Sequence, residues 1–338
     1  MKPITIAGGG VAGLAAGLAL RQRGVPITVL EAGTYPRHRV CGEFLCGQGG
    51  AVLDALGLDD LHREGPRHRT TGWYVDGRCV LQADLPQPAL GLSRHRLDAR
   101  LAEAFQNVGG ELRTQTRVDA GFGGEGQLRA TGRALARSSD WLGLKLHVRG
   151  LRLAQDLEIH LGDGGYVGLS GVENGAVNAC GLFRRRVLAG ERGPALLLAY
   201  LRACGLGDLA RRVEGAEPDP TSVVGVSHFA FGQSKATAAA LGDALTLIPP
   251  FTGNGMSMAL EAAWQAAPVL EDFAKGRAAW NATQTRLRQT LRRRFDRRVR
   301  WARGTQSLLL TRGSRAILSH WARMGAFPFQ TLFRLTHS

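Results

Sequence analysis

The pattern of apolar and polar positions begins with two short apolar runs, Ile4–Ala7 and Ile27–Leu30. Between them lie a glycine-rich turn and an apolar, helix-like segment from about residue 12 to residue 23, closed by Gly24. Short apolar runs that flank a helix within about thirty residues are typical of a βαβ unit. The chain is therefore predicted to open with two parallel strands joined by a helix.

The pattern changes between Trp141 and Phe183, where apolar and other residues alternate. Leu144 and Leu146 alternate with Lys145 and His147, and a similar alternation surrounds His160. Alternation of period two, with turn signals between the runs, predicts an antiparallel sheet with one covered face. Both histidines are then expected on the polar face, where they could act on a substrate as acid or base or simply face solvent.

The remaining periodicity is helical. A helix is predicted after Ser93, a plausible N-cap, and helices dominate from about residue 260 to the end. The fold class predicted is α/β, with a Rossmann-type nucleotide-binding domain interleaved with an antiparallel β-sheet substrate domain and a helical C-terminus. The expected boundaries are 1–70, 90–135 and 225–275 for the nucleotide-binding domain, 71–89 and 136–224 for the substrate domain, and 276–338 for the C-terminal helices.

Candidate chemistry starts at the glycine-rich turn. Residues 8–13 read Gly-Gly-Gly-Val-Ala-Gly and fit the dinucleotide fingerprint G-x-G-x-x-G. Its glycines permit a tight turn, close approach of a pyrophosphate, and packing of helix on strand. Glu31 ends the second strand eighteen residues after Gly13, where a carboxylate can bind both hydroxyls of an adenosine ribose. The unit is predicted to hold a dinucleotide.

A second segment, residues 242–255, points to a flavin. It begins with Gly242-Asp243, contains Pro249-Pro250, and ends in Gly253-Asn254-Gly255 before a helix that starts near Met256. An Asp at a strand end can bind a sugar-alcohol chain, and the helix N-terminus can stabilise negative charge on a reduced flavin. The predicted cofactor is FAD.

With these motifs the chain resembles the FAD-dependent oxidoreductases of the para-hydroxybenzoate hydroxylase and geranylgeranyl reductase superfamily. The resemblance covers most of the chain to about residue 275. It implies an FAD-binding domain of the glutathione reductase type. The residues expected to bind FAD are Gly8, Gly10, Val11, Ala12, Gly13, Glu31, Ala32, Arg37, Cys41, Gly42, Arg94, Gly132, Asp243, Pro250, Gly253, Asn254, Gly255 and Met256.

The two branches of that superfamily differ in chemistry. Residues 36–43, which include Cys41-Gly42, resemble the Cys-Gly loop of the reductase branch that passes near the flavin. Leu245-Thr246 replaces the Ala-His of the hydroxylases, and their Gly-Ala-Asp-Gly motif is missing. Cys41 and Pro250 are the flavin-adjacent candidates for catalysis. A dithiol mechanism through Cys41 and Cys46, as in glutathione reductase relatives, is a competing hypothesis.

Composition and charge limit the classes of partner that are expected. The net charge is +15, and ten arginines but only one acid lie between Arg277 and Arg303. Arginine outnumbers lysine by 39 to 4, a bias more typical of genomic coding than of phosphate binding, so no nucleic-acid partner is expected. The basic C-terminal helices could instead contact a membrane surface. Five cysteines and a start that runs directly into a strand predict a cytoplasmic protein without a signal peptide.

Three functional hypotheses follow. The first is an NAD(P)H-driven monooxygenase that hydroxylates a hydrophobic aromatic or polyketide-like molecule, with NAD(P)H bound transiently and Trp73 and Trp141 lining the substrate pocket. The second is an ene reductase like geranylgeranyl reductase. The third, from another class, is a non-catalytic, membrane-associated flavin-binding protein. No cluster with metal-ligand spacing is seen in the sequence, so no metal site is expected.

Overall fold

The structure is a computed structural model that describes residues 1–133, 139–188, 190–228, 231–233, 238–248, 251, 253–309, 313, 316, 320–322, 324 and 327–337. Within them two sheets and a set of helices form the architecture.

The N-terminal unit is a four-stranded parallel sheet with strand order β6-β2-β1-β7. Its strands are β1 (Ile4–Ala7), β2 (Ile27–Leu30), β6 (Glu111–Arg113) and β7 (Gln127–Arg129). Helix α1 (Val11–Arg21) connects β1 to β2, as predicted, and all but its last residue are buried. This helix is apolar on every side because it packs against α6 (Gly255–Ala274) as well as the sheet.

The chain returns to this unit late. Ala240 pairs in parallel with Arg129, and the Leu241 N–H donates to the Arg129 carbonyl over 2.8 Å. This pairing extends the parallel sheet by one short stretch and brings Gly242-Asp243 to the carboxyl ends of its strands. Helix α3 (Arg94–Asn107) also packs on α1, with Ser93 as the predicted N-cap accepting the Arg96 N–H.

The second sheet has eight strands in the order β12-β8-β11-β10-β9-β4-β5-β3. Their bounds are β3 (Phe44–Leu45), β4 (Arg67–Val75), β5 (Arg78–Gly91), β8 (Trp141–Arg149), β9 (Leu157–Gly162), β10 (Gly165–Gly171), β11 (Ala176–Arg184) and β12 (Glu217–Ser227). Strands β4 and β9 pair in parallel, so the sheet is mixed rather than purely antiparallel. It takes in β3 and begins β4 at Arg67, earlier than the predicted boundary at 71.

A tight hairpin joins β4 and β5. Asp76 and Gly77 have φ of +49° and +78°, the left-handed conformation that two-residue hairpin turns require. A short two-stranded ribbon, β13 (Gly232–Gln233) with β14 (Thr246–Leu247), lies near the return segment.

The prediction of one covered face on this sheet is wrong, because both faces are buried. Five successive residues of β8, from Leu144 to Val148, have less than a tenth of their surface exposed. Helices α4 (Gly193–Ala203) and α5 (Gly207–Glu214) cover one face. The other face turns toward the N-terminal unit and lines a cavity. Helix α2 (Gly49–Ala55) packs on α6, beside the N-terminal unit.

The C-terminal region is helical, as predicted. Helix α7 (Trp280–Leu309) packs on α6 through Leu287, Leu291 and Phe295 at helical spacing, and α8 (Phe329–His337) follows. Arg298 is buried and paired with Glu261 over 2.9 Å, so part of the arginine run serves packing. Among the described helices, none combines the length and apolar character needed to cross a lipid bilayer.

Candidate functional site

The glycine-rich turn is shaped by close backbone contacts. Gly8 has φ of +107°, and a Cβ there would lie 2.2 Å from the Ala130 oxygen. A Cβ on Gly13 would lie 1.9 Å from the Gly8 oxygen, whereas one on Gly10 would meet only the Arg94 guanidinium at 3.5 Å. Gly8 and Gly13 are therefore required by packing. Gly10 instead keeps space open at the N-terminus of α1, whose free N–H groups can bind phosphate.

Glu31 lies at the end of β2, almost fully buried. Its carboxylate accepts the N–H groups of Gly9 and Gly33, each over 2.8 Å, and pairs with Arg37. Burial raises the pKa of this carboxyl, but the Gly33 hydrogen bond and the Arg37 charge outweigh it and keep the pKa low. Glu31 is thus an ionised acceptor at the end of β2, the position predicted for the ribose of a dinucleotide.

Arg94 is the first residue of α3 and lies beside the glycine turn. It binds Asp98 through two N–H groups, each 2.7 Å from a carboxylate oxygen. Burial opposes its charge, yet the Asp98 carboxylate raises the pKa of the guanidinium above its usual range. A fixed cation therefore stands next to the space left by Gly10, where a pyrophosphate would need one.

Asp243 also lines the cavity close to α1, on a short 3₁₀ turn that begins at Gly242. It is exposed to the cavity but enclosed by its walls, and this shielding from bulk water raises its pKa, against Arg94 and Arg133. Gly242 has φ of +59°, and a Cβ there would lie 2.9 Å from Ala12. The turn thus packs tightly on α1 and presents its carboxyl to the cavity.

The second glycine turn precedes α6. Gly253, Gly255 and Met256 line the cavity, whereas the Asn254 side chain turns away and donates to the Thr336 carbonyl over 2.5 Å. Pro250, the predicted ring-adjacent proline, lies outside the described residues.

These parts belong to one continuous cavity of about 1130 Å³. The predicted residues that line it are Gly8, Gly10, Val11, Ala12, Glu31, Ala32, Arg37, Cys41, Gly42, Arg94, Gly132, Asp243, Gly253, Gly255 and Met256. Gly13 lies beneath the turn and does not line it. A turn with free N–H groups, an ionised acid at the end of β2, the Arg94 cation and the Asp243 carboxyl together fit an extended dinucleotide.

The Cys41-Gly42 loop sits on the cavity face of the large sheet. Asn178 donates to the Cys41 carbonyl and Ser170 to the Gly42 carbonyl, each over 3.0 Å. Cys46 follows β3 directly and is packed in an apolar cluster.

The thiols do not suit a dithiol mechanism. Burial raises the pKa of Cys41, and it raises the pKa of Cys46 to about 12 against a hydrogen bond with Ser257. Both are free thiols, and the thiolate is the reactive form. Two buried thiols with a raised pKa form little thiolate, which does not favour the glutathione reductase hypothesis.

Next to the turn at residues 253–256, one part of the cavity is lined by aromatic rings, and we call this part the aromatic chamber. Phe251 packs between Trp73 and Tyr166, with ring centroids 5.4 Å and 5.2 Å away, and Phe329 of α8 closes on Trp73 at 6.0 Å. Trp73 lines this space. Trp141 does not; it lies behind Phe231, at 6.5 Å.

The predicted polar-face histidines are buried, which corrects that expectation. His147 is 2.6 Å from Glu43 on the cavity face, and Lys145 also pairs with Glu43. His160 is 2.8 Å from Glu158, on the helix-covered face and away from the cavity. Burying an imidazole or an amine on a strand requires a charged partner, and each cluster supplies one.

Several site residues were not identified from the sequence. Tyr166 and Phe251 line the chamber, and His38 lines the cavity beside Lys145. Glu43 belongs to the Cys-Gly loop of residues 36–43, and its charge is the sequence signal that could have identified it as a site residue. The contacts of the others, such as Tyr166 with Phe251 and His38 with Lys145, join segments far apart in the chain, and no local pattern encodes them.

Comparisons with known proteins bear on this cavity. Residues 1–137 match a family described as an FAD binding domain. The fold is similar to that of pqsL from Pseudomonas aeruginosa, a probable FAD-dependent monooxygenase, with a TM-score of 0.74 at 17% identity over 94% of this chain and 99% of that chain. HpxO from Klebsiella pneumoniae, solved with FAD and uric acid, gives 0.75 at 17% identity over 99% and 96%.

One relative is named as a reductase rather than as a monooxygenase. Menaquinone reductase from Mycobacterium tuberculosis is 28% identical over 114 residues, 32% of this chain. The match spans 28% of that relative's own length, so it concerns one part of the protein. The predicted cofactor, FAD, and the predicted α/β flavoprotein fold are confirmed by the family match and by the solved structures.

Proposed function

Because the chain carries an FAD-binding domain on the fold of the FAD-dependent monooxygenases, we propose that it hydroxylates a hydrophobic aromatic molecule, with NAD(P)H as the electron donor. The observation that carries this proposal is the aromatic chamber of Trp73, Tyr166, Phe251 and Phe329, continuous with the cofactor cleft. FAD supplies the redox chemistry, and the protein's part is to bind, orient and exclude water.

The chamber also suggests how a substrate is recognised. Tyr166 is 6% exposed, and its hydroxyl is buried without a hydrogen-bond partner among the residues that the structure describes. A buried hydroxyl without a partner is costly, and a ligand hydroxyl or carbonyl would relieve that cost. The substrate is therefore proposed to be apolar with one neutral oxygen function, such as a phenol.

The test is oxygen uptake during NAD(P)H oxidation by the FAD-loaded protein, with phenolic and polyprenyl compounds as candidates. Hydroxylation requires substrate-coupled oxygen consumption and one added oxygen atom in the product. Anaerobic turnover with a gain of two hydrogens would overturn it. Tyr166→Phe is expected to raise KM for the phenol, whereas Tyr200→Phe, behind the sheet, leaves KM unchanged.

Double-bond reduction is the second candidate. Its support is the similarity to menaquinone reductase and the Cys-Gly loop, which Asn178 and Ser170 hold against the cavity. The oxygen-uptake assay distinguishes double-bond reduction from hydroxylation, because reduction proceeds without oxygen. A flavin that stays oxidised with every donor would instead favour the non-catalytic flavin-binding hypothesis.

We also propose that α7 contacts anionic membrane surfaces. Its exposed side carries Arg292, Arg293, Arg297 and Arg300, and Trp301 is 44% exposed at the end of this run. Basic side chains beside a tryptophan suit an interfacial helix. Cosedimentation with phosphatidylserine vesicles, lost in Arg292→Glu/Arg293→Glu but kept in Arg113→Glu, would support it. Equal binding by all three proteins would contradict it.

A further inference from the structure

The cavity wall contains a network of charged and titratable groups that the proposed function leaves without a role. The Glu43 carboxylate is fully buried and accepts from three directions: Lys145, His147 over 2.6 Å, and the Arg94 backbone N–H over 2.8 Å. Lys145 in turn lies 3.2 Å from Nδ1 of His38. The network therefore runs from a buried carboxylate to a histidine that lines the cavity.

The donors fix the tautomers. A lysine ammonium has only hydrogens to give, so Nδ1 of His38 accepts and Nε2 carries the hydrogen. Glu43 is ionised, because the His147 hydrogen bond and the Lys145 charge lower its pKa against the effect of burial, so Nε2 of His147 donates to it. Burial and the Lys145 charge lower the pKa of His38 to about 4, so at neutral pH this ring is uncharged.

Other groups surround His38 from each neighbouring element. His95 of α3 stacks on it with centroids 4.5 Å apart, and His147 of β8 meets it edge-on at 5.0 Å. Asp219 of β12 is half-buried, and its carboxylate lies within 4.8 Å of ring nitrogens of His38 and His147. Such a trio could hold a metal ion, but the Lys145 ammonium beside it opposes a cation. This pattern of charges fits a path for protons better than it fits a metal site.

We propose that His38 and Lys145 deliver a proton to an oxygen or carbon atom of a ligand in the cavity. Nε2 of His38 gives its hydrogen to the ligand while Nδ1 takes one from Lys145. The ring ends neutral as the other tautomer and Lys145 ends as an amine. The cycle closes when Nε2 of His38 takes a proton from solvent in the cavity and Nδ1 returns its own proton to Lys145. Glu43 and His147 are positioning residues that hold Lys145.

This inference rests on the proposed function only in part. Hydroxylation by NAD(P)H and O2 consumes one proton per turnover, and so does reduction of a double bond by NAD(P)H. A proton donor is therefore required by both candidate reactions. It is equally required when a reduced flavin is reoxidised by O2 to give H2O2, a reaction without nicotinamide or substrate.

The first experiment follows that simplest reaction. The FAD-loaded protein is photoreduced, mixed with O2, and monitored by flavin absorbance in H2O and in D2O. The His38→Gln variant is expected to react on the order of 10²-fold more slowly. His160→Gln, which alters a buried histidine on the other face, should match the unaltered protein. Equal rates for both variants would overturn the proposal, whatever the outcome of the substrate assays.

The second experiment needs no turnover. Nitrogen-15 NMR of histidine-labelled protein, with His38 assigned by the His38→Gln spectrum, should show a neutral ring protonated at Nε2 at pH 7. In Glu43→Gln/Lys145→Met, which removes both charges together, mixed tautomers and a higher pKa are expected. A charged His38 at pH 7, or protonation at Nδ1, would overturn the proposal.

Discussion

The two faces of the eight-stranded sheet each bury a carboxylate with an imidazole and a cation, but in different settings. On the cavity face Glu43 holds His147 and Lys145, and no part of the Lys145 side chain is exposed. On the helix-covered face Glu158 holds His160 and Arg212, and 36% of the Arg212 side chain is exposed. Buried ionic chemistry alone is thus no sign of a functional site; connection to a cavity separates the two.

The largest difference is expected when each carboxylate is removed. Glu43→Ala leaves Lys145 buried without a counter-charge, which should cost about 3–5 kcal/mol of unfolding free energy. Glu158→Ala should cost less, about 1–3 kcal/mol, because Arg212 can turn to solvent. Urea unfolding of both variants measures the difference. A larger loss for Glu158→Ala would show that exposure of the cation does not decide the cost.

The next largest difference between the two faces is expected in the loss of stability at acid pH. The pKa of Glu158 is lowered to about 2, where burial is outweighed by the His160 and Arg212 hydrogen bonds. Its ionised form stabilises the fold above the unfolded value of 4.5, and this stability, on the order of 2 kcal/mol after screening, is lost as pH falls toward 2.

On the cavity face the acid-sensitive window lies higher. His38 is neutral when folded, with its pKa lowered from 6.5 to about 4 by burial and by Lys145, so protons bind the unfolded chain first. Stability contributed by His38 is complete above pH 6.5 and is lost as pH falls toward 4. His38→Gln should flatten that window alone, and Glu158→Gln only the lower one, as followed by thermal unfolding against pH. Identical profiles would contradict the assignment.

The smallest contrast concerns two tyrosines. Tyr166→Phe on the cavity face removes a hydroxyl that has no partner in the described part of the chain, and it should leave stability unchanged or raise it by up to about 1 kcal/mol. The Tyr200 hydroxyl accepts the Arg186 N–H over 3.0 Å and donates to the Arg186 carbonyl, so Tyr200→Phe should cost about 1 kcal/mol. Equal losses in calorimetry would mean that Tyr166 has a partner in solution.

The sequence by itself determined the cofactor end of the protein. The turn from Gly8 to Gly13 and the acid Glu31 are encoded within about thirty residues, because phosphate and ribose recognition depends on local backbone shape. Periodicity likewise determined the helices and most strands. It did not reveal α5, or that the polar positions of β8 are buried, because alternation shows two faces without showing what covers each.

Only the tertiary structure decided the aromatic chamber and the charged network around Glu43. The chamber joins Trp73, Tyr166, Phe251 and Phe329, and the network joins His38, Glu43 and Lys145, from segments far apart in the chain. Whether a charged strand residue meets water or a buried partner depends on which surface packs over it. That is a property of the assembled fold, and the local sequence around Lys145 does not predict it.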